Sequence, residues 1–191
     1  MRIKELIDSA VVRDSVIKSG LQLFAEAVQG KRIVYLYRIL EDAATDNATA
    51  IAFTTENGRT KSKDADSTAT KDGSIRTPGV AEVEITATSL LAKGDTMLTD
   101  LEDALDNDKI VEIWEVNLEE EGTSDNVGKY KAKYFQGYLT EMEITSNAED
   151  YTEVSLTFGI NGNGATGYAT VSEEQQEIAT YVFADTKKTG A

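Results

Sequence analysis

A glycine-rich stretch late in the chain has the spacing of a dinucleotide-binding loop. The run GNGATG places Gly162, Gly164 and Gly167 in a G-x-G-x-x-G pattern directly after a predicted strand. In a nucleotide-binding fold such glycines open a helix, so that phosphates meet its N-terminus. Here YATV follows before any helix can start, and the preceding strand alternates where a central strand of that fold would be continuously apolar. We interpret the run as a turn and keep a nucleotide-binding enzyme as the alternative.

The segment DADSTATKDGSI begins with the spacing of a calcium loop. Asp64, Asp66 and Thr68 occupy the first, third and fifth positions of the pattern. Ala69 stands where the sharp turn needs glycine, and Ile75 stands where a bidentate glutamate closes the coordination sphere. The segment is therefore predicted to be a polar loop without a metal site.

Two charged clusters could also bind ligands. YKAKYFQGY combines tyrosines with Lys129, Lys131 and Lys133, as in faces that bind single-stranded nucleic acid. Three lysines make a weak patch in a chain of net charge −15, and tyrosines at period two in a strand are typical of one side of a sheet core. The acidic run 112–125 could chelate divalent ions, but carboxylates in such places usually remain solvated. We predict no metal, no cofactor and no tight binding of nucleic acid.

Histidine and cysteine are absent from the 191 residues. Their absence excludes Ser-His-Asp and Cys-His catalysis, thiolate metal sites and disulfides, and it fits synthesis in a reducing cytoplasm. The opening MRIKELIDSAVVRDS is charged throughout and is not expected to be a signal peptide, and no apolar stretch is long enough to span a membrane. The protein is predicted not to be an enzyme.

The negative charge is concentrated in one part of the chain. Residues 1–94 hold 13 basic and 13 acidic side chains, whereas residues 95–125 hold 12 acids and a single base, Lys109. Such a region either forms a solvated face or creates a field that repels anions.

Alternating apolar residues predict a mainly β protein with antiparallel strands. In VAEVEITATSL, for example, Val83, Ile85 and Ala87 share one face. Helical spacing predicts one α-helix over 94–107, capped by Asp95. The predicted strands cover 31–40, 48–56, 80–90, 109–121, 129–144 and 150–160.

The two ends of the chain are harder to interpret. Residues 1–27 carry apolar side chains at helical spacing but also a β-like SAVVRDSVIK. We treat them as an N-terminal arm and assign it neither helix nor strand. Residues 28–191 are predicted to form one β domain with a C-terminal segment over 161–191. A short helix over 172–183 is predicted from a capping box of Ser172 and Gln175.

Several long blocks of the sequence resemble the major tail proteins of siphophages that infect Gram-positive bacteria. The similarity runs from about Phe24 to about Asp185, and its most specific blocks are ATSLLAKGDT and NAEDYTEVSLTFGINGNG. The resemblance implies an antiparallel β-sandwich or barrel of tail-tube type with one flanking helix. It also implies a structural virion protein, made in the host cytoplasm, whose hexameric rings stack into a tube that conducts double-stranded DNA to the host.

The same resemblance implies partners and surfaces. The partners are other copies of the chain and the tail tip, tape measure and tail terminator proteins. Double-stranded DNA is expected to pass without tight binding, and no contact with a membrane is expected. Six copies at −15 each would place roughly 90 negative charges on a ring, which would keep phosphates from being held. The candidate acidic residues of the lumen or ring surface are Glu82, Glu84, Glu112, Glu115, Glu141 and Glu143.

A long polar loop between two strands reaches the neighbouring ring in tail-tube proteins, and residues 57–79 occupy that place. The segment 59–79 holds five bases and three acids, so it is expected to be an extended, positively charged loop that orders on assembly. The candidate inter-ring contacts are Arg59, Lys61, Lys63, Asp64, Asp66, Lys71, Asp72 and Arg76.

Overall fold

The computed structural model describes residues 27–172 and 175–176. Apart from Ala27, the predicted N-terminal arm lies outside these residues, as does most of the predicted C-terminal helix. The strands are β1 (Ile33–Ile39), β2 (Thr54–Thr70), β3 (Gly73–Leu90), β4 (Val111–Glu121), β5 (Tyr130–Thr145), β6 (Glu153–Ile160) and β7 (Ala165–Ala169), and the α-helix is α1 (Thr96–Asp106). Within the residues described, the prediction of a mainly β protein with one helix beside the sheet is confirmed.

The strands form one antiparallel sheet in the order β1-β4-β5-β6-β3-β2. β7 continues β6 along the same edge of β5, because Gly137 faces Ile160 and Tyr134 faces Ala165. β5 therefore has β4 on one side and β6 followed by β7 on the other. The sequence did not predict β7, since its alternation is hidden among glycine and alanine.

The sheet folds over so that its two ends enclose the main core. Alternate residues of β3 and β6 point inward, as predicted from Val83 and Ile85, and both are buried. The ring of Tyr37 on β1 stacks on that of Phe158 on β6, with centroids 5.5 Å apart. Each such fully buried side chain contributes about 1.5–3 kcal/mol to folding through the hydrophobic effect.

The helix α1 packs its apolar stripe against this core. Leu98, Leu101 and Ala104 are buried, as their spacing of three and four predicts. The carboxylate of Asp95 accepts a hydrogen bond from the N–H of Met97 (3.0 Å), which confirms the predicted cap. Its other oxygen accepts from the N–H of Ala52 (3.1 Å), so the cap also ties the helix to the chain before β2.

A second apolar cluster lies on the opposite face of β1, β4 and β5. It contains Leu36, Val116, Leu118, Ala132 and Val171. The capping box forms as predicted, since the N–H of Ser172 donates to the Gln175 side chain and the N–H of Gln175 donates to Ser172 Oγ. The chain after β7 thus covers the outer face of β1 and β4.

The predicted loop over 57–79 is wrong: these residues belong to two paired strands. β2 and β3 pair from Thr54↔Ser89 to Thr70↔Gly73, and they turn at residues 71–72. Gly73 has φ +140, a conformation that favours glycine, and it closes the turn. The loop was predicted because the segment shows no apolar alternation, but a ribbon exposed on both faces buries no side chains that would produce one.

The predicted strand over 48–56 is also largely wrong. Thr49 forms a single bridge with Tyr37, the chain turns at residues 52–53, and β2 begins only at Thr54. Phe53 adopts φ +50, so no regular strand can pass through it.

The tyrosines of β5 do not face the main core, although Tyr130 packs against the second apolar cluster on the other face. Phe135 and Leu139 point into the main core, whereas Tyr134 and Tyr138 lie on the opposite face and Tyr138 is exposed. The prediction that side chains alternate between the two faces of β5 was correct, but its tyrosines lie on the face turned away from the main core.

Substitution of two glycines should separate packing from backbone strain. Gly162 and Gly164 have φ +73 and +71, so alanine at either position costs about 1–2 kcal/mol. At Gly164 a Cβ would also overlap the ring of Phe135 and lie 2.9 Å from the carbonyl oxygen of Tyr134, whereas nothing lies within 4 Å at Gly162. We expect Gly164→Ala to lower the free energy of unfolding by about 2–5 kcal/mol and Gly162→Ala by about 1–2 kcal/mol, measured by urea denaturation. Equal losses would show that the Phe135 contact relaxes freely.

Candidate functional site

A two-stranded hairpin projects from the body of the sheet. β3 pairs with β6 only from Val83 to Leu90, so the rest of β3 has β2 as its sole partner among the described strands. Every residue from 60 to 80 is exposed, and we call these residues the hairpin arm. An isolated two-stranded ribbon is marginal in water and its edges offer unpaired backbone groups. The arm is therefore suited to contact another chain.

The predicted inter-ring residues divide between the arm and the body. Arg59 is part of the body, because its guanidinium is held by Glu115. The other seven lie on the arm, which carries four bases and three acids, so its net charge is +1 rather than the +2 expected for residues 59–79. These seven residues are Lys61, Lys63, Asp64, Asp66, Lys71, Asp72 and Arg76.

A group of side chains holds the root of the arm against the other end of the sheet. The Nε and terminal nitrogen of Arg59 on β2 donate to the carboxylate of Glu115 on β4, the latter at 3.3 Å. The hydroxyl of Tyr35 donates to the same carboxylate (3.1 Å), and the hydroxyl of Tyr37 donates to Asn57 (3.0 Å). We call these five residues the clasp. It joins β2 to β1 and β4, with which β2 shares no backbone ladder among the described strands.

The environment of the clasp raises the pKa of three of its members, Tyr35, Tyr37 and Arg59. Burial raises the pKa of the Tyr35 phenol well above its usual range, and the Glu115 carboxylate raises it further. Burial likewise raises the pKa of Tyr37. The hydrogen bond to Glu115 raises the pKa of Arg59. Both phenols therefore stay neutral donors, and Arg59 stays charged.

One face of the sheet carries carboxylates and no basic side chain. It is formed by β2 over 54–62, β3 over 82–90, β5 over 138–145 and β6, and the residues between the carboxylates are mainly threonine, serine and glycine. We call it the acidic face. Its exposed glutamates are Glu56, Glu82, Glu84, Glu141, Glu143 and Glu153.

Four of the six carboxylates predicted for the lumen or ring surface lie on this face, and two do not. Glu112 is only 5% exposed, and Glu115 belongs to the clasp. The two lie on opposite faces of β4, and each pairs with an arginine of another strand, Arg38 on β1 and Arg59 on β2. The sequence gives no sign of those partners. The sequence also missed Glu56 and Glu153, although period two along β2 and β6 would have placed them on this face.

Glu112 is the centre of a separate polar network. Arg38 Nε donates to it at 2.8 Å, and the Tyr134 hydroxyl donates to its other oxygen. The guanidinium of Arg38 also lies 5.1 Å from the ring of Trp114, which is half-buried. Burial raises the pKa of Tyr134, and its bond to Glu112 adds to the effect. The network satisfies a buried charge and joins β1, β4 and β5.

The glycine run forms a turn between β6 and β7 rather than the start of a helix. It borders a shallow cavity of about 170 Å³ that is also lined by Lys61, Lys133 and Phe135. Pockets that bind drug-sized ligands measure about 300–1,000 Å³, and the strand after the run offers no helix N-terminus to phosphates. The geometry therefore does not support the dinucleotide loop considered as the alternative.

Over residues 27–172 and 175–176, no group of three or more potential metal ligands converges. No helix there has the length and apolarity needed to cross a bilayer.

The described chain, with its antiparallel sheet, projecting hairpin and flanking helix, has the fold of tail-tube subunits. The structure superposes on the SPP1 tail tube, determined by solid-state NMR and cryo-EM, with a TM-score of 0.66, 22% identity and coverage of 86% of this chain and 95% of that one. It also superposes on the tail of an empty gene transfer agent particle, refined with C6 symmetry, with a TM-score of 0.55 and 12% identity over 75% of this chain and 100% of that one.

The chain belongs to the phage tail tube protein family, whose model matches residues 27–166. It is 34% identical over 148 residues to a tail protein of Staphylococcus phage phiMR25, covering 76% of this chain and 77% of that protein. It is 26% identical over 136 residues to the tail tube protein of Bacillus phage SPP1. This match covers 71% of this chain and 50% of that protein. The protein is thus a structural component of a phage tail tube.

The clasp can be tested by removing its guanidinium. Arg59→Ala leaves Glu115 partly buried with Tyr35 as its remaining clasp partner, so the free energy of unfolding should fall by about 1–3 kcal/mol. Lys61→Ala is the matched control, because Lys61 lies on the same face of β2 and should change stability by less than about 0.5 kcal/mol. Urea denaturation measures both values. If the two variants are equally stable, the clasp does not hold the root of the arm.

Proposed function

We propose that six copies of this protein form a ring, that rings stack head to tail through the hairpin arm, and that the stacked acidic faces line the lumen of the tail tube. The observation that carries this proposal is the acidic face, which is an exposed sheet surface with six glutamates and no basic side chain. The protein acts as a conduit and carries out no catalysis.

Lateral assembly follows from the edges of the four strands that carry the acidic face. At one side the outer edge of β2 has no partner among the described strands. At the other side β4 leaves β5 at Gly137, so no strand of the described residues pairs with this edge of β5 over 138–145. Pairing β2 of one subunit with this part of β5 in the next would continue the sheet, satisfy the unpaired backbone groups and close a barrel around a lumen.

Axial assembly follows from the length of the hairpin arm. About ten residues of β3 lie beyond its last pair with β6, so the arm extends roughly 30 Å past the body at about 3.3 Å per residue. The paired part of β3 within the body is eight residues long, or roughly 26 Å. The arm is thus long enough to reach along a subunit of the adjoining ring, where its charged residues would contact that neighbour.

A lumen of carboxylates and hydroxyls suits the passage of double-stranded DNA. Basic side chains neutralise phosphates and release counterions, which is the main source of affinity in nonspecific DNA binding. The acidic face offers no such contact, so DNA can slide past it without being held. The tube would join tail tip, tape measure and terminator proteins in the virion after assembly in the host cytoplasm.

The assembly itself is tested by electron microscopy of the purified protein at increasing concentration, alone and with a tail-tip template. We expect sixfold rings and tubes, because the outer edge of β2 and the edge of β5 over 138–145 both need partners. A protein that stays monomeric under all these conditions would contradict the proposal.

The orientation of the acidic face is tested by reversing its charge. Glu82→Lys with Glu84→Lys should leave tubes intact but make them retain short DNA duplexes, with retention that falls steeply as salt rises. Glu102→Lys with Asp106→Lys is the control, since it makes the same change of charge on the exposed side of α1. Cosedimentation of labelled duplex with tubes is the measurement. Equal retention by both pairs would show that the acidic face does not line the lumen.

A further inference from the structure

Three exposed apolar residues lie together at the end of the subunit opposite the hairpin arm. The N–H of Leu90 donates to the carbonyl of Phe53 (3.2 Å), and the N–H of Leu91 donates to the carbonyl of Thr152 (2.8 Å), next to Tyr151. Their exposures are 70% for Phe53, 49% for Leu91 and 81% for Tyr151. We call these three residues the far-end patch, because β2 begins and β3 ends here.

The backbone presents Phe53 in an unusual conformation. Its φ is +50, which is rare for a bulky residue and is sustained only where the surroundings impose it. Thr54 Oγ1 donates to the carbonyl of Ile51 (2.8 Å), and Asp95 accepts from the N–H of Ala52, so both sides of Phe53 are fixed. A strained turn that exposes an aromatic ring in place of glycine indicates a use for the ring.

The arm carries a matching apolar residue close to its root. Val80 is 86% exposed and lies in β3 at a register shift, between the pairs Lys63↔Ala81 and Ala65↔Pro78. It is three residues before Val83, where the pairing with β6 ends, so it stands roughly 10 Å beyond the body. In a head-to-tail stack the next subunit would present its far end at this height.

We propose that the far-end patch receives the hairpin arm of a second copy of this chain, with Val80 seated against Phe53, Leu91 and Tyr151 of the subunit in the next ring. The inference rests on the proposed function, and it adds the receiving surface. Exposed apolar groups at opposite ends of one subunit can bury each other only in a head-to-tail contact between different copies. Such a contact is heterologous and repeats from one ring to the next.

Charge supports the same pairing. Residues 141–153, which lead up to and follow Tyr151, hold five acids and no base. The arm has a net charge of +1, and its bases Lys61 and Lys63 make no ion pair within the described residues. Opposite potentials at the two ends would orient the encounter, while the apolar contact holds it.

The test uses variants that preserve the fold. Phe53→Gly removes the ring and places at φ +50 the residue that tolerates it best, so the thermal midpoint should not fall. Val80→Ser removes an exposed side chain from the arm. Val127→Ser is the control, because Val127 is 74% exposed in the β4–β5 turn, outside both surfaces. Electron microscopy should show single rings without tubes for Phe53→Gly and Val80→Ser, and tubes of wild-type length for Val127→Ser.

Mixing preformed rings gives a sharper result. Phe53→Gly rings keep an intact arm and Val80→Ser rings keep an intact patch, so the mixture should form stacks of two rings and none longer. Each variant alone should remain as single rings. Tubes of wild-type length from either variant, equal shortening by Val127→Ser, or no pairs in the mixture would overturn the inference while leaving ring formation in place. Wild-type protein that forms no rings would instead overturn the proposed function and this inference with it.

Discussion

The structure depends on how the sheet is closed: the two terminal strands are joined by side chains and not by backbone hydrogen bonds. Arg59 and Asn57 on β2 bind Glu115 and Tyr37 on β4 and β1, while the described strands place no ladder between β2 and β1. A backbone ladder at this seam would have closed the barrel within one subunit and used up its edges. Closure by side chains instead encloses the main core and leaves the outer edge of β2 free.

The same arrangement explains how one pair of strands can serve both folding and assembly. Where β2 and β3 cover the core, their inward residues are apolar or paired, as at Val83 and Arg59. Over residues 60–80 the two strands bury no side chain, so the arm contributes little to the stability of the subunit. Changes in its sequence therefore alter the contacts it makes with other chains far more than they alter the fold.

The sequence predicted those elements whose pattern is produced by burial. Val83, Ile85 and Ala87 alternate because one face of β3 meets the core, and Leu98, Leu101 and Ala104 repeat at helical spacing because α1 lies on it. The arm has no such pattern, because both of its faces are exposed, and the only local sign of a hairpin was the Asp72–Gly73 pair at its turn. The clasp could not be predicted from the sequence, because Arg59 and Glu115 are 56 positions apart and only the folding over of the sheet brings them together.

In the proposed tube the two kinds of contact differ in symmetry, and this difference determines the shape of the assembly. Lateral pairing of β2 with β5 turns by a fixed angle at each subunit and returns to its start, so it closes a ring and leaves neither of these two edges unpaired. The axial contact of the arm with the far-end patch joins unlike surfaces along one direction and never closes, so each added ring presents a new patch or a new arm. A chain with one closing and one open interface therefore fixes the diameter of the tube by itself but leaves its length open. In the proposed assembly the length of the tube would therefore have to be set by other proteins, since neither interface of this chain limits it.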